Sequence, residues 1–157
     1  MSKFDARVQR SNDGSLHVFI TGSLDEDTDF ESLFARLDTD SVLNLSGIDR
    51  LNSLGVHRWM SAIGAFSKQR KVTIEACSYV VALQAACIAN LFGSASVRST
   101  LAPYYCSSCS DNRMVLVAAS EVKDGIAPAK DCPTCNSVMV FDELDNYFGF
   151  LSEGHAE

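Results

Sequence analysis

Two cysteine pairs of identical spacing, Cys106-Ser-Ser-Cys109 and Cys132-Pro-Thr-Cys135, restrict this chain more than any other feature. Two cysteines three apart can turn both sulfurs toward one point when the backbone between them makes a tight knuckle. A second knuckle then completes a tetrahedron of thiolates. The pairs are separated by the 22 residues from Ser110 to Asp131. That is slightly more than the commonest ribbon spacing, yet a β-excursion of this length can return the second knuckle to the first. The quartet Cys106, Cys109, Cys132 and Cys135 therefore reads as the ligand set of a structural zinc ion. The same sulfurs would also suit iron, as in rubredoxin, and each pair alone matches a thiol-redox motif. Four thiolates leave no open position for water, so a catalytic zinc is not expected. Nor is a disulfide framework, because Met1-Ser-Lys-Phe-Asp-Ala-Arg7 has no apolar run of the secretory kind. Cys77 and Cys87 stand alone in apolar surroundings and read as buried thiols.

Charge divides the chain at the same place as the cysteines. Residues 1–100 carry 10 basic and 11 acidic side chains, whereas residues 101–157 carry 3 and 9. The expected boundary falls near Leu101-Ala-Pro103, giving a first domain over 1–100 and a cysteine-bearing extension over 101–157. The extension has few core residues and needs a staple, which a bound metal supplies. Four thiolates around a dication take its net charge from −6 to −8, with only Arg113, Lys123 and Lys130 to oppose it. Nucleic acid is thus a poor partner, since phosphate binding needs clustered cations. The one long uncharged window, Ala76–Val97, contains Ser78, Gln84, Asn90, Gly93, Ser94 and Ser96 and reads as a buried helix and strand, not a membrane span. A soluble, cytoplasmic protein is expected.

Residues 1–100 alternate strands and helices. The turn signal Asn12-Asp13-Gly14 separates a weak strand at Phe4–Arg10 from a better one at Leu16–Thr21. Thr28-Asp-Phe-Glu31 reads as a capping box, behind which Phe30, Leu33, Phe34 and Leu37 form one helical face. A short buried strand at Ser41–Leu45 leads into a polar loop, Ser46–Gly55. A second helix follows with Val56, Trp59 or Met60, Ile63 and Phe66 inward. Lys71–Ala76, Tyr79–Leu91 and Ser94–Thr100 read as strand, buried helix and strand. Strands joined by single helices imply a largely parallel sheet, an α/β class with helices packed on it. In the extension, strands are expected at Met114–Ala118 and Val138–Phe141. A short helix capped by Asp142 should place Leu144, Tyr147, Phe148 and Leu151 on one face.

The loop Asn44-Leu-Ser-Gly-Ile-Asp-Arg-Leu-Asn-Ser-Leu-Gly55 puts Asn52 or Ser53 at a helix N-cap. Ser53 as a cap alone is worth about 1 kcal/mol. A phosphate there would also meet free backbone N–H groups and the positive end of the helix dipole. The Gly22-Ser-Leu24 strand end, the Leu43-Asn-Leu-Ser-Gly-Ile48 strand, the Asn-Ser-Leu-Gly55 turn and the later strand–helix–strand carry a family likeness. Residues 4–100 resemble a STAS domain, the fold of bacterial anti-sigma-factor antagonists. The extension, with Ala-Pro-Tyr-Tyr-Cys106, Cys-Pro-Thr-Cys135 and Phe-Asp-Glu-Leu144, resembles a zinc ribbon following such a domain. The resemblance implies a protein partner, an anti-sigma factor or serine kinase, and phosphorylation of the serine after an aspartate in an Asp-Ser-Ser/Thr-Gly turn. That serine falls on Ser53. Here the aspartate is Asn52 and the next Ser/Thr is Leu54, ahead of Gly55. Ser53 and His57 share a helix face, but no Gly-x-Ser-x-Gly elbow accompanies them, so no catalysis is expected. Two other classes fit parts of the sequence: a transcription-associated ribbon meeting nucleic acid or polymerase, and an iron-dependent electron carrier.

Overall fold

Alternation builds the first sheet. In Leu16–Ile20 and Ser41–Leu45 every second residue is buried, the signature of a strand with one covered face. The computed structural model describes residues 3–153. Its first sheet holds β1 (Asp5–Arg10), β2 (Leu16–Leu24), β3 (Ser41–Leu51), β4 (Val72–Glu75) and β5 (Ser96–Val97), in that spatial order. β1 is antiparallel to β2 through the turn at Gly14, and β2 to β5 run parallel. The intervening helices are α1 (Phe30–Ala35), α2 (Ser53–Gln69) and α3 (Tyr79–Cys87). Because each strand is added on the same side of the last, right-handed crossovers put all three helices on one face. Register places Val18, Leu43, Ile74 and Val97 in one buried row under them. Above it Phe30 packs edge to face on Trp59, and Phe34 meets Trp59 at a tilt. The opposite face carries Arg7, His17, Asn44, Glu75 and other polar groups.

The second sheet is antiparallel, in the order β7 (Asp111–Ala118), β6 (Ser99–Cys106), β9 (Val138–Phe141), β8 (Lys130–Asp131), followed by α4 (Gly149–Glu153). β6 starts two residues before the composition shift at Leu101. It is tied to the end of β4 by Leu101 N–H donating to Cys77 O (2.8 Å). Tyr147, Phe148, Phe150 and Leu151 join the same hydrophobic cluster as Trp59 and Ile63, so the two sheets share one core. Phe92 meets Phe150, and Tyr79 stacks on Tyr147. No described helix is long and apolar enough to cross a membrane.

Several elements depart from the sequence reading. Most of Ser46–Gly55 is not a loop. β3 continues to Leu51, pairing Gly47, Ile48, Arg50 and Leu51 with β2 through two register shifts that turn Asp49 and Arg50 outward. The helix at 79 stops at Cys87, because Asn90 takes a left-handed φ of 62° and redirects the chain. The terminal helix begins only at Gly149. Leu144 is 72% exposed, while Tyr147, Phe148 and Leu151 are buried from a turn and the helix behind it. The cap of α1 is Asp29, which accepts from Ser32 N–H, while Thr28 is buried and bonds Ser23 O. Cys87 is exposed, unlike Cys77, because it sits on the outer side of the last turn of α3.

Candidate metal centre and the start of helix α2

The knuckles lie at strand ends. Cys106 closes β6, the Cys109 turn leads into β7, and Cys132 and Cys135 bridge β8 to β9. Both knuckles are followed by a residue in the left-handed region, Ser110 at φ 58° and Asn136 at φ 64°. This shared turn brings the sulfurs inward. All four Sγ atoms lie within 4.8 Å of one another. Cys106 Sγ is 3.4 Å from Cys135 Sγ, and Cys109 Sγ is 3.7 Å from Cys132 Sγ. A disulfide would need about 2.05 Å, and all four cysteines are free. An ion about 2.3 Å from each sulfur needs sulfurs about 3.8 Å apart, so the cluster fits a four-coordinate ion.

The backbone favours thiolates on one side of the cluster. The N–H groups of Cys135 and Thr134 point at Cys132 and hold its thiol below the usual range. Ser137, through hydroxyl and N–H, lowers Cys135 to about 6. Hydrogen bonding to Cys106 and Cys132 raises Cys109 to about 12. A cluster with sulfurs this close cannot carry four negative charges without a cation. Arg113 lies near it on β7, fixed by Asp111 (Nε to Oδ2, 2.9 Å). Sequence reasoning found the four cysteines and counted Arg113 among the cations near them, but passed over the roles of Ser110, Asn136 and Ser137. The Cys-Asn136 step was the available signal, since asparagine tolerates the left-handed region.

The structure separates this centre from Ser53. α2 begins at Ser53, and its cap is Asn52. Asn52 Oδ1 accepts from Gly55 N–H (2.8 Å), while Asn52 Nδ2 donates to Glu26 Oε1 (2.7 Å). Arg58 also donates to the Glu26 carbonyl. The acidic run 25–31 thus braces the start of α2 as well as α1. Gly55 is demanded by contact, because a Cβ there would lie 2.1 Å from Leu24 O. This close approach seats α2 on the end of β2 and leaves Ser53 and Leu54 outside, with Leu54 59% exposed. Beside them a groove of about 480 Å³ runs between α2 and α3, lined by Leu51, Val56, His57, Met60, Gln84 and Ile88. His57 is exposed on the same turn. The chain matches no family model and no curated protein.

Proposed function

We propose that this chain is a non-catalytic signalling protein whose STAS-like part binds a regulatory protein through the start of α2, and whose four-cysteine centre holds a structural zinc ion. The observation that carries the reading is the exposed pair Ser53–Leu54 on the first turn of α2, beside the groove toward α3. Leu54 adds an exposed apolar side chain next to that serine, which a partner could cover. Ser53 precedes it at the positive end of a 17-residue helix. A phosphate there adds about −1.5 to −2 charges next to Glu26 and Asp25, enough to expel an acidic partner surface. The STAS resemblance makes that partner an anti-sigma factor or serine kinase. The zinc part rests on the donor set, since four thiolates at these separations suit zinc and leave it no catalytic position.

Tagged wild type, Ser53→Ala and Ser53→Asp are compared by capture from the native host lysate with mass spectrometry. Wild type and Ser53→Ala should retain a sigma regulator or kinase that Ser53→Asp loses. Equal capture by all three, or capture of polymerase subunits, would overturn the switch. Elemental analysis of the purified chain should give one zinc per molecule and no colour. Bound iron would displace the zinc assignment.

A further inference from the structure

We infer that the outer face of β6, β7 and β9 is a second interaction surface, whose occupant is an amphipathic helix of a partner protein carrying Lys or Arg beside its apolar stripe. A sheet covered on one side reads apolar and polar in alternation. The first sheet does so, with Asn44, Ser46 and Glu75 outside. The second sheet does not. Its inner face is buried through Ala102, Tyr104, Val117 and Met139. Its outer face is apolar as well: Met114 is 42% exposed, Leu116 53%, Val138 64% and Val140 57%. Register puts them together. Leu101 opposes Leu116, Pro103 opposes Met114 and Tyr105 opposes Val140, so these side chains share one face.

Width and charge choose the occupant. Two strand spacings separate β7 from β9, about 10 Å, which one helix of about 10–12 Å diameter covers. Asp131 opposes Val138 on this face, and Asp142 closes its β9 end by donating its N–H to Pro103 O. Both acids are exposed. Among the extension's cations, Arg113 is held by Asp111 and Lys130 by Glu121, so two of the three are already matched by acids. A second copy of this chain would bring the same acids against Asp131 and Asp142, and an anionic membrane would be repelled likewise. A helix with basic flanks meets both the apolar floor and the acids. This surface depends on no property of Ser53.

The test uses the full metal-loaded chain and a dye-labelled synthetic peptide of about 18 residues, with Leu at helical i, i+3, i+4 and i+7 spacing and Lys alongside. Two counterparts accompany it, one with Glu for Lys and one of the same composition in scrambled order. Anisotropy should show binding of the amphipathic basic peptide alone, and hydrogen exchange should slow only in β6, β7 and β9. Leu116→Glu and Val140→Glu, each made separately and checked for unchanged circular dichroism and metal content, should weaken binding about tenfold or more. Asp131→Asn with Asp142→Asn should weaken it about two- to fivefold and flatten its salt dependence. Equal binding of the scrambled or Glu peptide, no effect of either Glu substitution, or protection elsewhere would overturn the proposal. So would sedimentation of the free chain as a dimer that protects these strands, which would make the occupant a second copy.

Discussion

Asn52 does two things with one side chain, and an aspartate could do only the first. Its oxygen caps α2 at Gly55, and its NH₂ donates to the Glu26 carboxylate. The residue that departs from the Asp-Ser motif is therefore matched to the acidic run beside it. Asn52→Asp keeps a good cap, since the two residues rank together at that position. It replaces an N–H···O bond by two facing carboxylates. The expected cost at neutral pH is about 0.5–1 kcal/mol, read by urea unfolding, because the site is exposed and screened. Adding Glu26→Gln should restore most of that loss, since glutamine can donate to the new carboxylate. No rescue by the second change would mean that the Glu26 contact contributes nothing to stability. The capping role was legible from the sequence to within one residue. The Glu26 partner was not, because it lies 26 residues away and is set by β2 and β3 ending together.

At the scale of elements, the second knuckle is the prepared half of the metal centre. Cys135 is held at about 6 by Ser137 and Cys132 is also lowered, so at neutral pH this half is ready to bind. A thiol whose folded value lies below its unfolded one stabilises the fold most fully above the unfolded value, about 8.5, and that contribution is lost as pH falls through about 6. Metal binding should follow the same direction. Fewer than four protons should be released near pH 7.5, as calorimetry in buffers of different ionisation enthalpy would count them. Affinity against a chromophoric chelator should fall steeply below about pH 6. Affinity that stays level between about pH 8 and about pH 5 would rule out thiolate ligation. Elements with clean alternation were legible: Val138–Phe141 is the strand read from its residues, and Phe30, Leu33 and Phe34 form the buried face of α1. Those that failed were decided at a distance. Asp49 and Arg50 look like loop residues, yet β2 extends far enough to pair Ser23 with Arg50, leaving Asp49 as the bulged residue. Leu144 fits a helical face, yet the Phe141–Tyr147–Phe148 cluster fixes the chain as turns until Gly149. The four clustered cysteines were legible because spacing alone constrains them. The apolar outer face of β6, β7 and β9 was not, because the same residues could equally have been buried.

For the whole molecule, the question is whether metal holds only the extension or the entire chain. The covalent path suggests two parts, but packing does not. β6 carries Cys106 at one end, and near the other Leu101 bonds Cys77 while accepting from Tyr147 Oη at 2.7 Å. Tyr147 stacks on Tyr79 in the first turn of α3, whose hydroxyl in turn bonds Glu143. Phe150 and Leu151 are buried in the common cluster, and each large apolar side chain so placed contributes about 1.5–3 kcal/mol. Losing the extension would uncover that surface, so the two parts should unfold together. Trp59 is the sole tryptophan, 2% exposed, with its indole N–H on Leu91 O, and so it reports on the helices over the first sheet. Chelation, or Cys132→Ser, should lower the melting point read by Trp59 fluorescence on the order of 10 °C, equivalent to about 3–4 kcal/mol for a chain of this size. Calorimetry should show one transition, at the same temperature as the fluorescence change. A Trp59 transition that stays in place while a separate lower one appears would show that the extension melts alone, and that its contacts with α3 carry little of the chain's stability.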